Sequence, residues 1–161
     1  MYDERPENIT LIGMSGAGKS AVGKILAKKL NMDLFDTDEE FTKEVGKTPE
    51  EYIRAHGILA FREREREVTG GALFLKNTVI VTGGGTILDV LSRANTTLSS
   101  VVVLIERALE DLCRDNRPLY ENMDVEEIYN MRINRYRAMA DFAVTNDADL
   151  ETLADRIIEK L

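Results

Sequence analysis

The chain has 161 residues, with 21 Lys+Arg against 29 Asp+Glu and a formal net charge of −8. That length fits one domain, and 43% hydrophobic residues suffice for a buried core without a disulfide or structural metal. Collagen-like, disordered and disulfide-scaffold classes are excluded, and the acidic balance argues against nucleic-acid or membrane-surface partners.

The N-terminus, Met1-Tyr2-Asp3-Glu4-Arg5, lacks the basic and apolar regions of a signal peptide. A buried strand is expected over Ile9–Ile12, then a helix over Ala17–Leu30, where Val22, Ile25, Leu26 and Leu30 fall at helical spacing. Asp33–Asp36 reads as a short second strand. Helices follow over Glu39–Val45 and Pro49–His56, the latter opened by Thr48 as N-cap and Pro49 at the first position. A longer helix is expected over Leu59–Leu75, weakened in its middle by Gly70-Gly71. Strands at Thr78–Val81, Val101–Ile105 and Ala143–Thr145 alternate with helices near 87–93, 107–113, 124–139 and 149–160. Cys113 is the only cysteine, so no intramolecular disulfide forms. Val101–Ile105, the longest apolar run, falls far short of the ~20 residues that span a bilayer. A cytoplasmic monomer or small oligomer is the expectation, monomer preferred. Strands separated by helices imply a parallel sheet covered on both faces, with ligands beyond the carboxyl ends of its strands.

Gly13-Met14-Ser15-Gly16-Ala17-Gly18-Lys19-Ser20 satisfies the P-loop pattern G-x-x-x-x-G-K-[ST]. Glycines let the backbone turn its N–H groups inward as an anion-binding nest at a helix N-terminus. Lys19 is placed to reach the β- and γ-phosphates and the Ser20 hydroxyl to ligate Mg²⁺. The plainer alternative is a glycine-rich turn capping a helix. The strand before and the amphipathic helix after favour a nucleoside triphosphate with Mg²⁺.

The acceptor is read from the ends of the other strands. Asp36 and Asp38 lie on one side of an extended segment; they suit metal waters, substrate hydroxyls or a proton, or else Asp38 or Thr37 caps a helix. In Phe61-Arg62-Glu63-Arg64-Glu65-Arg66-Glu67 alternating charge predicts a solvated face, with at most one or two members turned into a cleft. Gly83-Gly84-Gly85 ends a buried strand and permits close approach by a ligand, or forms a loose turn. Arg114, Arg117 and Pro118 occupy the connection after the fourth strand, where a phosphate-clamping lid would sit. The single histidine, His56, reads as a helix-end cap.

The P-loop, Asp36-Thr37-Asp38, Phe61-Arg62 with Glu65, Gly83-Gly84-Gly85, Arg117-Pro118-Leu119, and Arg132 with Tyr136 and Ala140-Asp141 occur in the order seen in shikimate kinases. The chain resembles that family from about Ile9 to its end. The resemblance implies a three-layer α/β P-loop kinase fold of the nucleoside-monophosphate-kinase type, with a five-stranded parallel sheet flanked by helices. It implies one domain over 1–161, with a substrate-binding helical part at about 37–75 and a lid at about 113–123. The implied activity is transfer of the γ-phosphate of ATP to the 3-hydroxyl of shikimate, in aromatic amino-acid biosynthesis. On this resemblance Gly16, Ala17, Gly18, Lys19, Ser20 and Ala21 bind the nucleotide. Ser20 and Asp36 serve Mg²⁺, and Asp38 binds substrate hydroxyls and acts as, or helps, the base. Arg62 and Arg132 clamp the carboxylate beside the Gly83, Gly84 and Gly85 backbone, Arg117 swings in on the lid, and Arg114 lies along the adenine. Paired arginines give planar, bidentate recognition that lysine does not, and Glu65 is spaced to fix the Arg62 rotamer.

The chain departs from the family pattern in four places. Gly57-Ile58 stands where Gly-Glu is usual, and Leu119-Tyr120 where two leucines are frequent. Asn134 replaces a common proline, so the second clamp is Arg132 or Arg135, and the connection from Leu104 to Arg117 is shorter. Two alternatives accompany the first reading: a kinase of gluconate or another polyhydroxy acid, and a nucleotide-binding regulatory protein with little turnover.

Overall fold

The computed structural model describes residues 6–115 and 124–161, Arg114 and Asp115 by backbone alone. Five short runs of β-branched and aliphatic residues pair side by side: β1 (Asn8–Ile12), β2 (Asp33–Asp36), β3 (Thr78–Val81), β4 (Ser100–Glu106) and β5 (Phe142–Thr145). They form one sheet in the order β2-β3-β1-β4-β5, every pair parallel. Every residue of β1 and β3 is buried, as the continuous apolar runs of a sheet covered on both faces require. Among the described residues eight α-helices surround it: α1 (Lys19–Leu30), α2 (Thr37–Val45), α3 (Pro49–His56), α4 (Ile58–Gly70), α5 (Val90–Thr97), α6 (Leu109–Asp115), α7 (Val125–Met139) and α8 (Leu150–Lys160). No helix among the described residues is long and apolar enough to cross a membrane.

Of the element boundaries that differ from the sequence-based expectation, four have a clear local reason. α1 starts at Lys19, not Ala17, because Gly16 and Gly18 have φ of 81° and 99°, a left-handed backbone outside a right-handed helix. α2 starts at Thr37, because the Asp36 carboxylate accepts the Asp38 and Glu39 amides and is itself the N-cap. Asp36 and Asp38 therefore lie across a strand-to-helix junction, not along an extended segment. α4 ends at Gly70, and Gly71–Phe74 tighten into a 3₁₀ turn, so the glycine pair marks an end, not a weak middle. The helix expected near 87–93 runs over Val90–Thr97, after a 3₁₀ turn at Thr86–Leu88 and with Asp89 as cap.

The main core joins Ile9, Leu11, Ile12, Val103 and Leu104 of the sheet to Val22, Leu26, Tyr136, Leu153 and Ile157 of the helices. A second, smaller cluster lies within the helical segment α2–α4. Phe41 packs against Tyr52 and Phe61 at ring-centroid distances of 5.3 and 5.0 Å, with Val68 beside them. Burying Phe41 and Phe61 contributes about 1.5–3 kcal/mol each. The helix presenting Arg62 thus has its own anchor, set at Phe61, the adjacent residue. Asp141 is also structural: its carboxylate accepts the Val102 amide at 2.8 Å and registers the start of β5 on β4.

Candidate active site

The carboxyl ends of β1, β2 and β3 open on one side of the sheet, and each delivers a different chemistry. After β1 the P-loop folds so that its carbonyls face donors within the protein. Lys19 Nζ donates to Gly13 O and Met14 O, both at 2.8 Å. Arg107 Nη1 donates to Gly16 O at 2.8 Å, and Asn146 Nδ2 to Ala17 O at 2.9 Å. The Ala17 amide is also used within the loop, donating to Met14 O at 3.1 Å. Gly18 has a second reason to be glycine, since a Cβ there would come within 2.7 Å of the Asn146 amide.

This loop borders a cavity of about 380 Å³ lined by Ser15, Gly16, Gly18, Lys19, Ser20, Ala21, Asp38, Thr82, Gly83, Gly84 and Arg107. Burial takes water from the Lys19 ammonium and lowers its pKa to about 8, against the pull of Asp38 and Asp36. Ser20 Oγ donates to Asp36 Oδ2 at 2.6 Å, which sets two hard oxygen groups together at the cavity. Among the described residues no three acidic, imidazole or thiol side chains converge to hold a metal by themselves. Magnesium is characteristically held by one or two protein oxygens together with phosphates and water, and the Ser20–Asp36 pair fits that donor set.

A second cavity, of about 280 Å³, adjoins the first and shares Ser15, Asp38, Gly83 and Gly84 with it. Arg62, Glu65 and Arg132 line it, together with Gly85 and residues of α3. Arg62 Nη1 donates to Glu65 Oε1 at 2.7 Å, and Thr86 Oγ1 donates to the other Glu65 oxygen at 3.0 Å. Glu65 is 3% exposed, so a buried carboxylate fixes the guanidinium by charge-assisted hydrogen bonding. Of the alternating charges, Arg62 and Glu65 turn inward. Arg64 pairs with Glu67 on the surface, and Arg66 reaches the α5 cap Asp89 at 2.6 Å.

The expected close approach at the glycine triplet comes from the site's own side chains. A Cβ on Gly83 would meet Asp38 Oδ1 at 2.7 Å, and one on Gly84 would meet the Ser15 amide at 3.0 Å. One on Gly85 would fall almost on the Arg62 guanidinium. None of the three adopts a positive φ: space, not backbone freedom, selects glycine here. The Tyr136 hydroxyl donates to the Gly84 carbonyl, which ties α7 to the triplet. Arg132, one turn earlier, points its Nη1 toward Gly84, whereas Arg135 is exposed. Of the two candidate clamps, Arg132 faces the cavity.

Asp38 lies open to the solvent that fills both cavities, yet protein crowds its carboxyl. Desolvation and the neighbouring Asp36 raise its pKa to about 6, against Lys19 and Arg62, which lower it. A carboxylate poised near neutrality between a phosphate-binding loop and a pair of arginines is equipped to accept a proton from a hydroxyl held between them.

Arg117 lies outside the described residues, as do the Arg114 side chain and most of the segment expected as a lid. His56 lies in the last turn of α3 with its ring tilted against Tyr52 at a centroid distance of 4.5 Å, and the cap of the helix is Gly57, not His56. Sequence reasoning missed Arg107, Asn146, Tyr136 as a tie, and, in the second cavity, Thr48 together with Pro49, Glu50 and Ile53 of α3. Arg107 and Asn146 each follow a strand directly, a signal that was present. The α3 residues carry none.

The shikimate kinase family model matches residues 15–161. A shikimate kinase of Caldicellulosiruptor saccharolyticus is 38% identical over 162 residues, covering 94% of each chain. One from Francisella tularensis subsp. novicida is 38% identical over 164 residues, covering 95% of this chain and 93% of its own. Among solved structures, shikimate kinase from Acinetobacter baumannii in complex with shikimate superposes with a TM-score of 0.87 at 30% identity, covering 98% of this chain and 93% of that one.

Proposed function

Because the chain belongs to the shikimate kinase family, we propose that its two cavities divide the family's reaction between them. The activity is ATP-dependent phosphorylation of the 3-hydroxyl of shikimate. The P-loop cavity holds the triphosphate, with Lys19 against its terminal phosphates and Gly16, Ala17, Gly18, Ser20 and Ala21 around them. Ser20 and Asp36 are the residues that would hold Mg²⁺, which when bound neutralises charge on the transferring phosphate. In the second cavity Arg62 and Arg132 grip the acceptor's carboxylate, and the triplet backbone supports its ring. An acidic protein thereby binds an acidic substrate through a few local cations.

One observation carries the reading: Asp38 lines both cavities. A hydroxyl of an acid gripped by Arg62 and Arg132 is thereby held against the carboxylate that also faces the phosphate side. Phosphoryl transfer needs chiefly this positioning and charge stabilisation; Asp38 orients the hydroxyl and takes its proton. Carried over from the family, Arg117 neutralises phosphate charge from a lid spanning about 113–123 and Arg114 lies along the adenine. The segment 37–75 serves as the substrate-binding part of a single domain.

The test is ADP release with Mg·ATP and a panel of hydroxy acids. Shikimate is expected to support turnover and gluconate not. Turnover with gluconate alone would move the protein to another acceptor, and nucleotide binding without turnover on any acid would make it a binding protein.

A further inference from the structure

Arg107 has no part in the reading above, yet its position is specific. Ile12 of β1 pairs with Leu104 of β4, so Ile105, Glu106 and Arg107 run on beyond β1 alongside the P-loop. The contact is close, since a Cβ on Gly13 would come within 2.6 Å of the Ile105 carbonyl oxygen. Successive side chains at a strand end leave on opposite sides. Glu106 goes to α7, where Arg137 Nε binds its carboxylate at 2.7 Å. Arg107 goes over the loop, where Nη1 donates to Gly16 O at 2.8 Å and the guanidinium lines the phosphate cavity.

Holding a loop carbonyl does not require a charge. Asn146 makes the equivalent bond to Ala17 O with a neutral amide and does not line the cavity. Among the described residues, Lys19 and Arg107 are the cations that do line it. Lys19 is nearly buried and already engaged with two carbonyls. Arg107 instead sits at the rim, fixed by a strand end, where a planar guanidinium suits phosphate oxygens.

We propose that Arg107 is a further nucleotide-binding residue, pairing its guanidinium with the phosphate chain of bound ATP. The proposal rests on the first cavity being the ATP site. The test compares the unaltered protein with Arg107→Ala and Arg107→Gln, titrating Mg·ADP, tripolyphosphate and adenosine, with shikimate as control. Gln keeps a donor for Gly16 O but carries no charge. Both variants are expected to bind Mg·ADP and tripolyphosphate about tenfold more weakly, the order expected for a hydrogen bond to a charged group. Adenosine and shikimate binding should be unchanged, and the ATP KM should rise with little change in kcat. Full affinity in Arg107→Gln would reduce the residue to a loop tie and overturn the proposal. So would a loss confined to adenosine and ADP with tripolyphosphate unaffected, or parallel loss of shikimate binding. Absence of Mg·ADP binding in the unaltered protein would refute the ATP reading beneath it.

Discussion

The phosphate cavity and the acceptor cavity meet at Ser15, Asp38, Gly83 and Gly84 but are assembled in different ways. The first is a local object: eight consecutive residues bend at glycines with positive φ, and backbone groups form its inner wall. The second is made of side chains from α2, α3, α4 and α7 set against the glycine backbone of the turn after β3, and its aim depends on ties that run between elements. Arg62 depends on Glu65, which Thr86 fixes in turn, and Gly84 depends on Tyr136. A backbone site fails when its loop cannot bend. A side-chain site fails when one of its ties is cut, and the two cavities should therefore respond separately to substitution.

The largest effect is expected at the residue where that separation vanishes. Asp38→Asn should lower kcat by about 10²- to 10⁴-fold, the range for removing a general base, while leaving nucleotide affinity nearly intact. The pH profile sharpens the expectation. Asp38 titrates near 6 and must be deprotonated to accept the hydroxyl's proton, so kcat/KM should rise with pH through about 6. Lys19 titrates near 8 and must be protonated to attract phosphate, so the profile should fall above about 8. Asn at position 38 should erase the acid limb and, by removing a charge that helps Lys19 hold its proton, move the alkaline limb to lower pH; an acid limb that survives would assign it to another group.

A clean break between the cavities is expected from Arg62→Ala. Losing a charge-assisted contact to the substrate carboxylate should raise the shikimate KM by about 10- to 100-fold and shift the Kd for Mg·ADP by less than about twofold. Arg132→Ala should behave alike and Arg135→Ala should be silent, since Arg135 is exposed. Equal weakening of nucleotide and acceptor by Arg62→Ala would end the division of labour.

The same contrast explains what the sequence disclosed. The P-loop and the five strands were legible because each depends on neighbours in the chain: turn glycines and apolar runs. The cap of α2 was not, since Asp38 or Thr37 was expected there and Asp36 serves instead. Family resemblance supplied Arg62 and Arg132, which composition and spacing left among ordinary helix charges. The reason for the glycine triplet stayed hidden, because what excludes a Cβ at Gly85 is a guanidinium from α4, and at Gly83 a carboxylate from α2. Neither clash exists until the tertiary fold does. Helix boundaries at Thr37 and Val90 moved for a smaller reason, namely that Asp36 and Asp89 cap the helices that follow them.

The smallest effect tests the ties themselves. Tyr136→Phe removes only the hydroxyl that donates to Gly84 O and leaves the fully buried ring in the core. The lost hydrogen bond should cost about 1 kcal/mol of stability, read as a small drop in Tm. At the site it frees the Gly84 carbonyl and removes the neighbour against which Arg132 is set. The shikimate KM should rise about fivefold, consistent with a net hydrogen bond of that size, with kcat and the ATP KM nearly unchanged. Gly84 lines both cavities, so the ATP KM is the informative control. A matching rise there would mean that the tie supports the phosphate side equally, and that the two cavities share more than their common wall.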